Sequence, residues 1–67
     1  MVNSKFDIGS LVQFQAKNYY GEPEEALGTV VHVWYDEYAE EWAYSVRRQY
    51  SLGGTSVYYE SELEEYP

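Results

Sequence analysis

Cysteine is absent from this 67-residue chain, histidine occurs once, and lysine and arginine together number four. Without cysteine there is neither a disulfide framework nor a thiolate to hold a metal. The one histidine, His32, would have only carboxylates for company in a transition-metal site, so no metal and no cofactor is expected and His32 reads as a surface or cross-strand residue. Among the four bases only Arg47 and Arg48 are adjacent, which does not make the clustered positive surface that grips a phosphate backbone or an anionic membrane. No apolar run follows Met1 as in a secretory leader, and no stretch approaches the roughly 20 apolar residues of a membrane helix. The expectation is a soluble, cytoplasmic monomer that contacts neither nucleic acid nor membrane directly.

Catalytic groups are equally sparse. Serines are present, but one histidine is the only base to serve them and no Ser-x-Gly elbow occurs. The pairs Glu40–Glu41 and Glu60–Glu62 could do acid–base work only if a pocket raised one member's pKa, and so short a chain has little interior to form one. The acidic runs at 22–25 and 60–65 lack the alternating aspartates and central glycine of a calcium loop. No enzyme is expected.

What the chain does have is rings and acids. Hydrophobic residues make up 45% and aromatics 19%, including nine tyrosines and two tryptophans. Large rings bury about 150–250 Å² each, which helps one small domain reach stability without staples and argues against intrinsic disorder. Twelve acids against four bases give a net charge of −8.

Period-two patterning points to strands. Residues 1–7 read as an N-terminal tail, although Phe6 and Ile8 are apolar enough to tuck against the domain. Gly9 to Ala16 alternates with Val12, Phe14 and Ala16 on one face. An eleven-residue connection, Asn18 to Gly28, follows, broken by Gly21 and by the Glu22-Pro23 pair. Thr29 to Tyr35 is the strongest strand signal, with Val31, Val33 and Tyr35 on one face and Val30, His32 and Trp34 on the other.

Asp36 to Tyr50 fits two patterns. At helical spacing Tyr35, Tyr38, Ala39, Trp42 and Val46 share a face behind an Asp36 cap. At period two Trp42, Tyr44 and Val46 alternate with Ala43, Ser45 and Arg47. The Trp, Tyr, Ser and Val content favours the second, a hairpin with a loop over 36–41 and a return strand from Trp42 to Arg48. Gly53-Gly54 supplies a turn with positive φ, and Val57 and Tyr59 are expected to point inward from a short strand. Glu60 to Glu65 reads as one tight helical turn that tucks Leu63 beneath the sheet. The core expected from these faces is Val12, Phe14, Val31, Val33, Trp42, Tyr44, Val46, Val57 and Leu63.

This order, with Gly28-x-Val30 opening the second strand, an aromatic-x-Val in Tyr44-Ser45-Val46, and Tyr59-Glu60-Ser61-Glu62-Leu63 closing the last, resembles the SH3-like small β-barrel of bacterial and phage proteins, related in shape to KOW and Tudor modules. The resemblance covers Ile8 to Glu64. It implies an all-β fold, a single SH3-like barrel of about five strands over residues 8–64 with a short closing 3-10 turn, followed by a C-terminal tail at 65–67. The chain lacks the ALYDY start and the tryptophan pair of peptide-binding SH3 domains, and it is acidic where KOW modules are usually basic. Proline-rich peptide binding and RNA binding therefore do not carry over.

In such barrels the first loop lies beside an open groove. Here it would present Tyr19 and Tyr20 flanked by Glu22, Glu24 and Glu25, ring surface of the kind favoured at interfaces. These five residues are the candidate partner-binding set of a non-catalytic interaction module for a basic or mixed-charge protein. The plainer alternative is that one tyrosine caps the core and the acids only keep the protein in solution. A further alternative takes the three acidic clusters (22–25, 36–41 and 60–65) as rows of mock phosphates on an inhibitor of a DNA- or RNA-binding protein, as a phage or mobile element would encode.

Overall fold

The computed structural model describes residues 3–49 and 54–66. Five antiparallel strands run β1 (Leu11–Lys17), β2 (Pro23–Asp36), β3 (Glu41–Arg48), β4 (Ser56–Tyr59) and β5 (Glu64–Glu65), with a single 3-10 turn at Glu60–Glu62. Their order in the sheet is β4-β3-β2-β1-β5. The fold is all-β, and the strand ladder does not close: β4 and β5 are its two outer members and do not pair with each other. No helix among the described residues is long and apolar enough to cross a membrane. A fourteen-residue strand rises about 3.3 Å per residue, so β2 accounts for the long dimension of a molecule measuring 40 × 23 × 22 Å.

The segment from Asp36 onward is a hairpin. Asp36 pairs with Glu41, and the Asp36 carboxylate accepts from the backbone N–H of Tyr38 (2.9 Å) and Ala39 (3.1 Å), which closes the intervening turn. An Asp side chain that bonds its own backbone two residues on favours a turn over a helix at this position. On the return strand Trp42 packs against the core, as the period-two reading expected.

The first connection is much shorter than the sequence suggested. Lys17 pairs with Pro23, so only Asn18 to Glu22 form the loop, and Pro23 to Gly28 belong to β2. Breaker residues misled here for a physical reason. Pro23 is the first residue of its strand, a position where proline is tolerated. Gly28, expected to open the strand, sits inside it because nothing larger fits. A Cβ there would lie 2.5 Å from Val46 Cγ1 and 2.8 Å from the Arg47 carbonyl oxygen.

The core gathers Phe6, Val12, Phe14, Ala26, Val30, Tyr44, Val46 and Leu63, with Val33, Trp42 and Tyr58 packed against it. Two assignments from the sequence are corrected. Val31 is not a core residue: the pairing steps from Val30↔Val46 to His32↔Ser45, leaving Val31 as a bulge, so Val30 takes the interior position and Val33 resumes it afterwards. Val57 is 57% exposed, because the pairing Tyr44↔Tyr58 puts Tyr58 on the inner face and Val57 and Tyr59 on the outer one.

The N-terminal segment is anchored by Phe6, which is 3% exposed and meets Tyr44 edge-on with ring centroids 5.4 Å apart. The fully buried Tyr44 hydroxyl accepts from the backbone N–H of Lys5 (3.0 Å) and Phe6 (3.2 Å), so its polar end is satisfied. Ile8, by contrast, remains exposed. Leu63 is buried behind the 3-10 turn, as expected. Of the glycine turn, Gly54 has φ of 77°, and Gly53 lies outside the described residues.

Candidate functional site

The β1–β2 loop is built around Asn18. Its side-chain oxygen accepts from the N–H of Tyr20 (2.9 Å) and of Glu22 (3.0 Å), while its backbone N–H donates to the Glu22 carbonyl (2.9 Å). The Gly21 N–H returns to the Asn18 carbonyl at 3.0 Å, and Gly21 holds φ at 80°, a left-handed value that suits glycine. Four hydrogen bonds on one five-residue loop leave its backbone little freedom.

That loop presents rings outward. Tyr19 is 96% and Tyr20 80% exposed, and the two meet edge to face at 5.4 Å. Neither caps the core, so the plainer assignment of one tyrosine to packing does not hold. Glu22 shares the tip with them. Glu24 and Glu25 lie inside β2 and, because successive strand residues point to opposite faces, diverge from each other. Glu24 is further engaged by Arg48 Nη2 at 2.8 Å, an ion pair with both partners about two-fifths exposed. The five candidate residues thus resolve into a tip of Tyr19, Tyr20 and Glu22 and two carboxylates along the arm, one of them neutralised.

Several other acids also serve the fold. The Tyr59 hydroxyl donates to Asp36 at 2.7 Å; this bond, joined by those from Ala39 and Tyr38, holds the Asp36 carboxyl below the usual carboxylate range and pushes the Tyr59 phenol up. Glu41 accepts from the Ser61 N–H (3.1 Å), Glu62 from the Tyr59 N–H (2.8 Å) and Glu64 from Gln13 Nε2 (3.1 Å). The clusters that look uniform in sequence are unequal in space. Glu37 and Glu40 stand out from the β2–β3 turn beside Tyr38, whose ring is fully exposed and which the sequence did not single out.

His32 is exposed and lies against Trp34, ring centroids 5.5 Å apart. Among the described residues no charged side chain is buried, and no three of His, Asp and Glu converge in a way that could hold a metal ion. The β1–β2 arm ends in two exposed rings, Tyr19 and Tyr20, set edge to face. No protein-family model, no curated protein and no solved structure matches this chain.

Proposed function

We propose that the protein is a non-catalytic interaction module, with an SH3-like cast to its small sheet, that binds a basic or mixed-charge protein through the β1–β2 tip. The observation that carries this reading is the Tyr19–Tyr20 pair, almost fully solvent-exposed on a loop that Asn18 and Gly21 hold in one shape. A tyrosine ring offers large contact area at low entropy cost, and a preformed loop lowers that cost again. Glu22 at the tip and Glu25 on the arm add negative potential, which steers a basic partner and suppresses acidic ones. The carboxylates engaged by Arg48, Tyr59, Ser61 and Gln13 are held by the fold, which favours a ring-centred contact over a surface of interchangeable mock phosphates.

Affinity capture from a cell extract, repeated at low and high salt beside a Tyr19→Ala/Tyr20→Ala variant, tests the proposal. The expected outcome is a partner retained at high salt by the native protein and lost by the variant. A nucleic-acid-binding protein that is released by salt and held equally by both would instead support phosphate mimicry.

A further inference from the structure

The turn at the far end of β2 repeats the build of the β1–β2 loop. In the loop the Asn18 side-chain oxygen accepts two backbone N–H groups; in the turn the Asp36 carboxylate accepts those of Tyr38 (2.9 Å) and Ala39 (3.1 Å). Each also carries one residue in the left-handed region, Gly21 at φ 80° and Glu40 at φ 56°. The fourteen residues of β2, rising about 3.3 Å each, hold the two apart.

Both present the same chemistry. Tyr38 is fully exposed, so its ring buries nothing on folding. Tyr35, about half exposed, meets Trp42 edge to face, with centroids 5.4 Å apart and planes at 78°. Trp42 packs against the core, so the Tyr35 ring rests on a fixed neighbour. Glu37 and Glu40 lie on either side of Tyr38 in the turn, both exposed, and among the described residues no base pairs with either.

We infer that the β2–β3 turn is a second contact surface, one that takes an arginine-bearing segment of a basic protein, so that a single molecule of this chain bridges two such segments. The inference rests on the reading of the β1–β2 loop as the first contact surface. The rings select the kind of cation. An exposed tyrosine face attracts positive charge, and a planar guanidinium stacks on it where an ammonium acts as a compact, strongly hydrated point. Glu37 and Glu40 can accept hydrogen bonds from that guanidinium, and they repel acidic partners. One kind of ligand suits both ends, because the loop likewise joins exposed tyrosines to an exposed carboxylate, Glu22. Another copy of this chain is a poor occupant, since it brings a charge of −8 to a contact that is already acidic.

The test uses a capped Arg-Gly-Arg-Gly-Arg peptide and its lysine counterpart of equal charge and spacing. Each is titrated into isotope-labelled protein at fixed moderate salt and followed by amide and aromatic chemical shifts. The arginine peptide is expected to move two separate groups of signals, 19–22 and 37–42, both of which saturate in excess peptide. The lysine peptide should bind each end more weakly by about threefold. Tyr38→Ala should weaken binding at the turn by a similar factor, with the 19–22 response and the rest of the spectrum unchanged. Shifts confined to 19–22 would overturn the second surface while leaving the loop as a contact site. Shifts confined to 37–42 would overturn the bridge and, with it, the reading of the loop. Equal binding of the two peptides, with shifts spread over every exposed carboxylate, would mean diffuse charge attraction and would overturn the ring-centred contact at both ends.

Discussion

Phe14 of β1 and Tyr58 of β4 meet across the unpaired side of the sheet, ring centroids 4.5 Å apart and planes inclined by 37°. The two strands sit at different places in the order β4-β3-β2-β1-β5 and share no backbone ladder, so side chains accomplish what hydrogen bonds do elsewhere in the sheet. The pair should therefore couple energetically. In a double-mutant cycle of Phe14→Leu and Tyr58→Leu, denaturant unfolding is expected to give an interaction of about 0.5–1.5 kcal/mol beyond the single effects. Strict additivity would show that the sheet does not need this contact.

Gly28 has a sharper constraint. Its missing Cβ is replaced by Val46 Cγ1, the Arg47 carbonyl and Phe14 Cε1, the last at 3.2 Å. A backbone carbonyl cannot swing aside as a lysine tip can. Gly28→Ala is expected to cost about 1–3 kcal/mol by overpacking, although alanine is the better strand former. A neutral or stabilising result would place β3 farther from β2 than described.

Glu40 is the described non-glycine residue with positive φ, at 56°, in the β2–β3 turn. The left-handed region costs a residue with a Cβ about 1–2 kcal/mol, partly offset by glycine's greater freedom when unfolded. Glu40→Gly should accordingly stabilise the protein by about 0.5–1 kcal/mol. A thermal midpoint at or below that of the native protein would contradict the turn geometry.

Titration of the Asp36–Tyr59 pair follows from its hydrogen bond. The Asp36 carboxyl is held below its ordinary value chiefly by the Tyr59 hydroxyl, so the unfolded chain takes up that proton first as pH falls. Its contribution to stability is present above the usual carboxylate range and lost as pH drops through it. Tyr44, raised by burial, and Tyr59, raised by Asp36, act at the other end: their contribution is complete below about pH 10 and lost as pH rises above it. Carboxyl NMR should show Asp36 titrating lower in the native protein than in a Tyr59→Phe variant. Coincident curves would remove the bond from solution.

Much of this fold was legible in the chain itself. The alternation Val12-x-Phe14, the run Trp42-x-Tyr44-x-Val46 and the buried Leu63 behind a 3-10 turn follow from local pattern, because each residue's face is set by its own strand. The bulge at Val31 and the inward turn of Tyr58 do not. Both depend on how β3 is registered against its neighbours, and a one-residue slip reverses every side chain beyond it. The candidate site divides the same way. Tyr19 and Tyr20 were visible because paired rings beside Gly21 mark a turn. The Arg48–Glu24 ion pair was not, since residues so far apart in sequence meet only after β2 and β3 pair.

The most direct test of the tyrosine tip compares two variants, each first shown to be folded, against a partner isolated as above. Exposed ion pairs contribute about 0.2–1 kcal/mol each and are screened by salt, whereas an aromatic anchor buried on binding can contribute 2 kcal/mol or more. Tyr19→Ala/Tyr20→Ala is expected to lower affinity at least tenfold, and Glu22→Gln/Glu24→Gln/Glu25→Gln by only a few-fold, with weak salt dependence. Unchanged affinity in the tyrosine variant, together with a steep fall in native binding as salt rises, would contradict a ring-centred contact and assign the working surface to the carboxylates.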